Sequence, residues 1–390
     1  MSYLLIKNAA AVFEKTVKAT DILIKGNVIE DISFSGEIPE ECEIIDANGM
    51  YVSPGFIDIH VHGGGGYDFM DCSEKAFSEI SKIHLKNGST TILPTAVSAK
   101  FDDILKLIGT YKKMQKHCPN FCGLHLEGPY ISKKQKGAHN EALLHSPDAY
   151  ETEMLCSEGK GVIKRITAAF ELENMAEFSK KMTERGVMMS LGHSDATSDE
   201  AFEAFRHGFS HITHLYSATP TVRKINQVIK AGVIEAAYLD DNVTVELIAD
   251  GKHTAVDALK LAVKIKGTDK VCLVTDALRP AGTDVKESYL GEIKEENRVI
   301  IEDGVAKLPD RSSFAGSIAT SRMLLERAVN HYGFSITDAV KMLTLSPAKI
   351  LGLEGKGSLK NGYTADILVF DQQFNINKVI LGGKLIKTED

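Results

Sequence analysis

Cysteine is scarce and scattered. Its six residues, at positions 42, 72, 118, 122, 156 and 272 of 390, do not form a disulfide framework, so reduced core or loop thiols are expected. Cys118 and Cys122 lie closest together, in CPNFC, but no second pair or nearby histidine completes a structural zinc site. No apolar run reaches the roughly 18 residues that a membrane span needs. The opening MSYLLIKNAAAVFEKTVKAT lacks both the basic start and the long apolar core of a secretory signal. Basic clusters and basic tails are missing as well, and with a net charge of -8 and a pI near 5.9 the chain is unsuited to nucleic acid or an acidic membrane. These absences predict a cytoplasmic protein whose partner is a small molecule.

What is present has two rhythms. The first fifty residues hold short alternating segments broken by Gly and Asn, such as YLLIKNA, DILIKGNVIEDIS and CEIIDANG, which read as small antiparallel strands. Residues 362–370 and 376–386 repeat that pattern after a helical stretch near 337–351. Between them, short apolar runs alternate with longer amphipathic stretches, the βα signature of a parallel sheet. Eight strands are predicted, at 56–62, 89–94, 121–127, 164–170, 187–192, 210–215, 243–249 and 271–276. Helices are predicted among others at 73–87, 102–116, 174–185 and 254–264, where apolar residues recur near the 3.6 period. The fold class is therefore α/β: a (β/α)8 TIM-like barrel over 54–346, with a small β-sandwich domain formed by both chain ends, 1–53 plus 347–390.

Such a barrel carries its active site at the C-terminal ends of the strands. Strand one ends in PGFIDIHVHGGGG, where His60 and His62 point to the same side because strand side chains alternate. With 13 histidines in the chain, one H-x-H is expected by chance roughly 0.4 times, so the pair needs company. Strand three ends in Glu127, strand five in His193, strand six in His214 and strand eight in Asp276. Imidazole and carboxylate groups gathered there suit a divalent metal, zinc, iron, manganese or cobalt. A metal so held brings the pKa of a bound water from about 16 toward about 7, which makes a hydrolytic nucleophile available at neutral pH. Asp276 is placed to act as general base and then acid. Histidines 84, 117, 125, 145, 207, 211 and 331 read as structural or exposed.

The ordered set PGFIDIHVHG, HLEGPY, KGAHN, LGHSDAT, THLYSA, IADGKH, VTDA and FAGS resembles the amidohydrolase superfamily, and within it the N-acetylglucosamine-6-phosphate deacetylases, along essentially the whole chain. The resemblance implies that Glu127, His193 and His214 are the principal metal ligands and Asp276 the catalytic carboxylate. It implies that His60 and His62 serve a second metal, so one or two metals per subunit are expected. His253 then helps hold the oxygen of the acetyl group, His139 contacts the sugar, and Ser217 and Ala218 offer it backbone groups. Glycines 63–66 let that loop approach a ligand closely. A homodimer with shared active sites follows from the same likeness.

The pattern breaks after His214. The family continues with Asn-Ala-Met and an Arg-Glu-Pro-Gly turn, whose arginine, lent by the neighbouring subunit, binds the sugar phosphate. Here the chain reads HLYSATPTVRKINQVIKAGV: Ser217 stands for the asparagine, and 229–232 is Ile-Lys-Ala-Gly. Arg223 and Lys224 have two readings, a replacement phosphate grip or a solvated pair at a helix start. A lost charge-assisted hydrogen bond weakens phosphate recognition about 10- to 150-fold. The alternatives to N-acetylglucosamine 6-phosphate are therefore a galactosamine phosphate, an unphosphorylated N-acyl sugar, a cyclic amide, or a barrel that binds without catalysis.

Overall fold

The computed structural model describes residues 2–387; Met1 and 388–390, which the expected sandwich domain includes, lie outside them. Eight parallel strands pair in chain order: β1 (Phe56–Val61), β2 (Ser89–Ala96), β3 (Leu124–Glu127), β4 (Ile163–Ala168), β5 (Met188–Leu191), β6 (Phe209–Ile212), β7 (Thr244–Ile248) and β8 (Val271–Val274). Several are buried along their whole length, as strands covered on both faces must be. The seam between β1 and β8 closes just beyond the last strand. There Val61 bridges Ala277, Asp276 N–H donates to the His60 carbonyl (3.0 Å), and His62 N–H donates to that of Ala277 (2.9 Å). Buried Asp58 reinforces the seam by accepting from the Thr275 hydroxyl at 2.5 Å.

All eight predicted strands and the four named helices are found, with ends shifted by a few residues. Helix Glu74–Lys86 shows why the sequence works locally. The Ser73 hydroxyl caps it by accepting from Ala76 N–H, and Ala76, Phe77, Ile80 and His84 form its buried stripe. Gly88, at φ +89°, ends it. Truncating fully buried Phe77 to Ala would cost about 3–5 kcal/mol.

Both chain ends join in one separate sheet. Strand Tyr3–Val12 pairs antiparallel with Val17–Lys25. On its other edge, contrary to the antiparallel expectation, it pairs parallel with Cys42–Asp46 and then, further along, parallel with Tyr51–Pro54, because the chain crosses back before each; Tyr51–Pro54 in turn pairs antiparallel with Ile367–Phe370. Ile6, Ile22, Val52, Ile367 and Val369 belong to its buried core. Gly55 then turns the chain into β1 beside Thr90, where a Cβ would stand 2.0 Å from the Thr90 hydroxyl.

Three expectations are corrected. The predicted 121–127 strand starts only at Leu124, because Phe121 ends a turn from Cys118 and makes an isolated bridge to Ile92. The helix near 337–351 is two, Ile336–Leu343 and Leu345–Leu351, broken at Thr344. Arg223 and Lys224 do not start a helix: Arg223–Ile225 and Val228–Lys230 form a hairpin turning on Asn226 and Gln227, both at positive φ. The stretch after β8, for which no element was predicted, carries four short antiparallel strands, from Glu287–Tyr289 to Phe314–Ser317, that flank the barrel mouth.

Candidate metal centre and active site

At the C-terminal ends of the strands lies a cavity of about 270 Å³. His62, Glu127, His139, His193, His214 and Asp276 reach it from below, and Ser217, Ala218, His253 and Phe314 line its walls. His60 lies one layer deeper, fully buried, and touches the same carboxylates. Glu127 is the hub. Its Oε1 stands 2.9 Å from His214 Nε2 and 3.3 Å from His193 Nε2, while its Oε2 stands 3.0 Å from His62 Nε2. Asp276 Oδ1 lies 3.3 Å from His62 Nε2 and 3.4 Å from His60 Nε2.

The hydrogen bonds on the far side of each ring decide what these nitrogens present. His193 Nδ1 donates to the Gln135 carbonyl (2.7 Å) and His214 Nδ1 to the Ser217 carbonyl (3.1 Å). Carbonyls only accept, so both neutral rings carry the proton on Nδ1 and turn a bare Nε2 inward. His60 is set the same way by Glu246, 2.8 Å from its Nδ1. Yet His193 and His214 hold their Nε2 atoms 3.1 Å apart, and His60 and His62 hold theirs at 3.2 Å. The bare nitrogens of His193 and His214 repel at that distance unless a cation sits among them, and His60 and His62 face the same need for positive charge, met by a metal or, without one, by protons, so the donor set fits a metal. The electrostatics agree. Burial opposes a charged ring at His60 and His62, but the carboxylates outweigh it, holding His60 well above the usual histidine range and His62 at about 9. Burial also opposes ionisation of Glu127 and Asp276, yet the facing histidines keep both below the usual carboxylate range. The cage draws in positive charge.

His139 differs. It lies 3.5 Å from Glu127 and groups spatially with Glu127 and His193. However, Ser98 N–H points at its Nδ1 (3.4 Å) and the Ser98 hydroxyl lies 2.7 Å from it. An accepting Nδ1 leaves the proton on Nε2, which makes His139 a donor into the cavity. Burial, the main cause, lowers its pKa to about 4, so it is neutral at pH 7. His253 is oriented by Asp250, whose Oδ2 lies 2.7 Å from its Nδ1.

His193, His214, Tyr216, Ala218 and Asp276 all have positive φ, 27° to 79°. For residues other than glycine this costs of order 1–3 kcal/mol each and concentrates at functional sites. No sequence pattern announces it.

Arg223 is the candidate the structure does not bring in. It is absent from the cavity lining. Its guanidinium lies 3.0 Å from the Asp195 carboxylate and also donates to the Asp195 carbonyl. Within one chain it anchors the hairpin, and no Lys or Arg among the described residues lines the cavity. Sequence reasoning missed Glu246 and Arg165, an ion pair at zero exposure inside the barrel; charged letters within the apolar runs TVELI and IKRITA were the available signal.

A nearly closed parallel barrel with this cage defines a class, and residues 51–386 match the amidohydrolase family, to which the chain belongs. Within it the chain falls among the N-acetylglucosamine-6-phosphate deacetylases. It is 31% identical to the deacetylase of that name from Lysinibacillus sphaericus, over 87% of each chain. It is 29% identical to that from Haemophilus influenzae, over 98% of this chain and 99% of the relative. The solved deacetylase from Pasteurella multocida superposes with a TM-score of 0.92 at 29% identity, covering 98% of this chain and 99% of that one. Among the described residues no helix is long and apolar enough to cross a membrane.

Proposed function

We propose that this chain hydrolyses the acetamide of N-acetylglucosamine 6-phosphate, giving glucosamine 6-phosphate and acetate. The observation that carries the reading is the pair of inward, bare Nε2 atoms of His193 and His214 at Glu127, with Asp276 beside the His60–His62 pair at the cavity floor. Glu127, His193 and His214 would hold one divalent metal, and His60 with His62 a second. Once bound, a metal supplies Lewis acidity toward the acetyl carbonyl and acidifies a coordinated water.

The chain does the rest. Asp276 starts ionised, takes a proton from the attacking water, and returns it to the departing amine nitrogen. His253, fixed by Asp250, holds the acetyl oxygen as charge develops on it. His139 donates from Nε2 to the sugar, and the backbone at Ser217 and Ala218 completes that wall. Zinc is the metal we favour, in a cytoplasmic homodimer; elemental analysis and light scattering test the metal and the dimer.

The primary test is acetate release from N-acetylglucosamine 6-phosphate and N-acetylglucosamine by metal-reconstituted protein. A preference of about 100-fold or more for the phosphorylated sugar would mean that a charged group from outside this cavity lining, such as one from a second copy, replaces the missing arginine. Equal rates would favour an unphosphorylated N-acyl sugar. No release from either, with metal bound, would discard the substrate.

A further inference from the structure

Beneath the metal cage, TIM-barrel interiors are usually filled by layers of branched apolar side chains. Here the filling is ionic. Arg165 is the largest fully buried side chain of the protein, and its Nη1 meets Glu246 Oε2 at 2.5 Å, both at zero exposure. Arg165 is itself fixed by donation from Nε to the Ser190 hydroxyl and from Nη2 to the Thr213 hydroxyl, each at 2.9 Å. Burying such a pair is costly, and apolar residues of the same shape would often serve stability as well or better. What the pair achieves is directional. With Oε2 occupied by Arg165, Glu246 turns Oε1 upward, where it accepts His60 Nδ1–H at 2.8 Å. His62 has no such support, for its buried Nδ1 has no hydrogen-bond partner.

We propose that Glu246, backed by Arg165, is the positioning residue that makes His60 a metal ligand, and that the second metal depends on it. The proposal rests on the metal-hydrolase reading above and extends it to residues that touch neither substrate nor metal. Glu246 holds His60 in one tautomer and one ring orientation, with the bare nitrogen toward the cage. A carboxylate behind a ligating histidine typically changes metal affinity about 10- to 100-fold. The effect is selective. Glu246 Oε1 also accepts from His214 N–H (3.2 Å), but that backbone keeps a second anchor, Leu215 N–H donating to the Glu246 main-chain carbonyl at 2.8 Å. The Glu127, His193 and His214 side of the cage therefore survives a change of the Glu246 side chain.

The test is a cobalt titration of the full chain after chelator stripping, read by visible absorption and elemental analysis. It compares wild type, Glu246→Gln, and the double variant Glu246→Leu with Arg165→Met, which removes the pair without stranding a charge. Wild type is expected to take two equivalents. Both variants should keep the first within about threefold and bind the second at least about tenfold more weakly. A single equivalent in saturated wild type, an unchanged second equivalent in the variants, or equal weakening of both would overturn the proposal. Whether or not the variants fold, the metal-loaded wild type should show a strongly hydrogen-bonded imidazole Nδ1–H by NMR of isotope-labelled histidine, lost in His60→Asn; its absence overturns the assignment. Two equivalents without acetate release would instead count against the proposed substrate and leave this inference standing.

Discussion

The cage at the barrel mouth and the hairpin after it are near neighbours in the chain, but they are held in different ways. In the cage, Glu127, His193, His214 and Asp276 are all buried, most inward-facing rings have a fixed partner behind them, and several backbones are strained. The hairpin at Arg223–Lys230 leaves Val228, Ile229 and Lys230 exposed. Its ties include the Arg223–Asp195 and Lys230–Asp199 pairs, a bridge between Thr197 and Gly232, and Ser198 N–H donating to the Ala231 carbonyl. The difference teaches where this fold tolerates change. A cage residue cannot move without exposing repulsion or an unmet hydrogen bond, whereas the hairpin can be rebuilt at little cost to the barrel. The cage and the hairpin are thus parts of unequal rigidity.

The strongest way to break this comparison is Asp276→Asn. It should lower kcat about 10²- to 10⁴-fold while elemental analysis shows the metal retained; a loss under tenfold would remove Asp276 from proton transfer. Ser98→Ala acts one step back, freeing the His139 ring, and should raise KM roughly 2- to 12-fold with little change in kcat. A fall in metal content instead would make His139 a ligand. On the recognition side, Ser217→Asn should sharpen the contrast by adding an amide at the cavity wall, raising kcat/KM for the phosphorylated sugar by a similar 2- to 12-fold. No gain would place the phosphate elsewhere. The smallest effect is expected for Arg223→Ala. Removal of a partly exposed ion pair should cost about 1 kcal/mol or less in unfolding free energy, and KM should change by about threefold at most. A large rise in KM confined to the phosphorylated sugar would return this arginine to the substrate, reached from another copy.

The sequence made the barrel readable because a parallel strand buried on both faces is a short apolar run, and here several such runs end in His, Glu or Asp. That regularity placed Glu127, His193, His214 and Asp276 at one end before any geometry was known. It said nothing about tautomers, which depend on residues distant in sequence such as Gln135 for His193 and Glu246 for His60. The Arg223 hairpin was illegible for a different reason. Its short strands, with exposed or half-buried residues throughout, carry no burial periodicity, so a charged RK pair reads equally well as a helix start. The strands between Glu287 and Ser317 were hidden likewise, since all four are only three to five residues long.

The barrel seam has a consequence in time. Asp58 and Thr275 are 217 positions apart, yet they clasp each other beside His60 and Asp276. A ribosome making this chain produces the histidine pair at positions 60 and 62, and the carboxylate that faces it only at position 276 of 390. Until Asp276 and the residues that lock it have emerged, the nascent protein has neither a closed seam nor the carboxylate that faces His60 and His62. The site is therefore assembled only after β8 has been made, and a chain cut short before it lacks the closed seam.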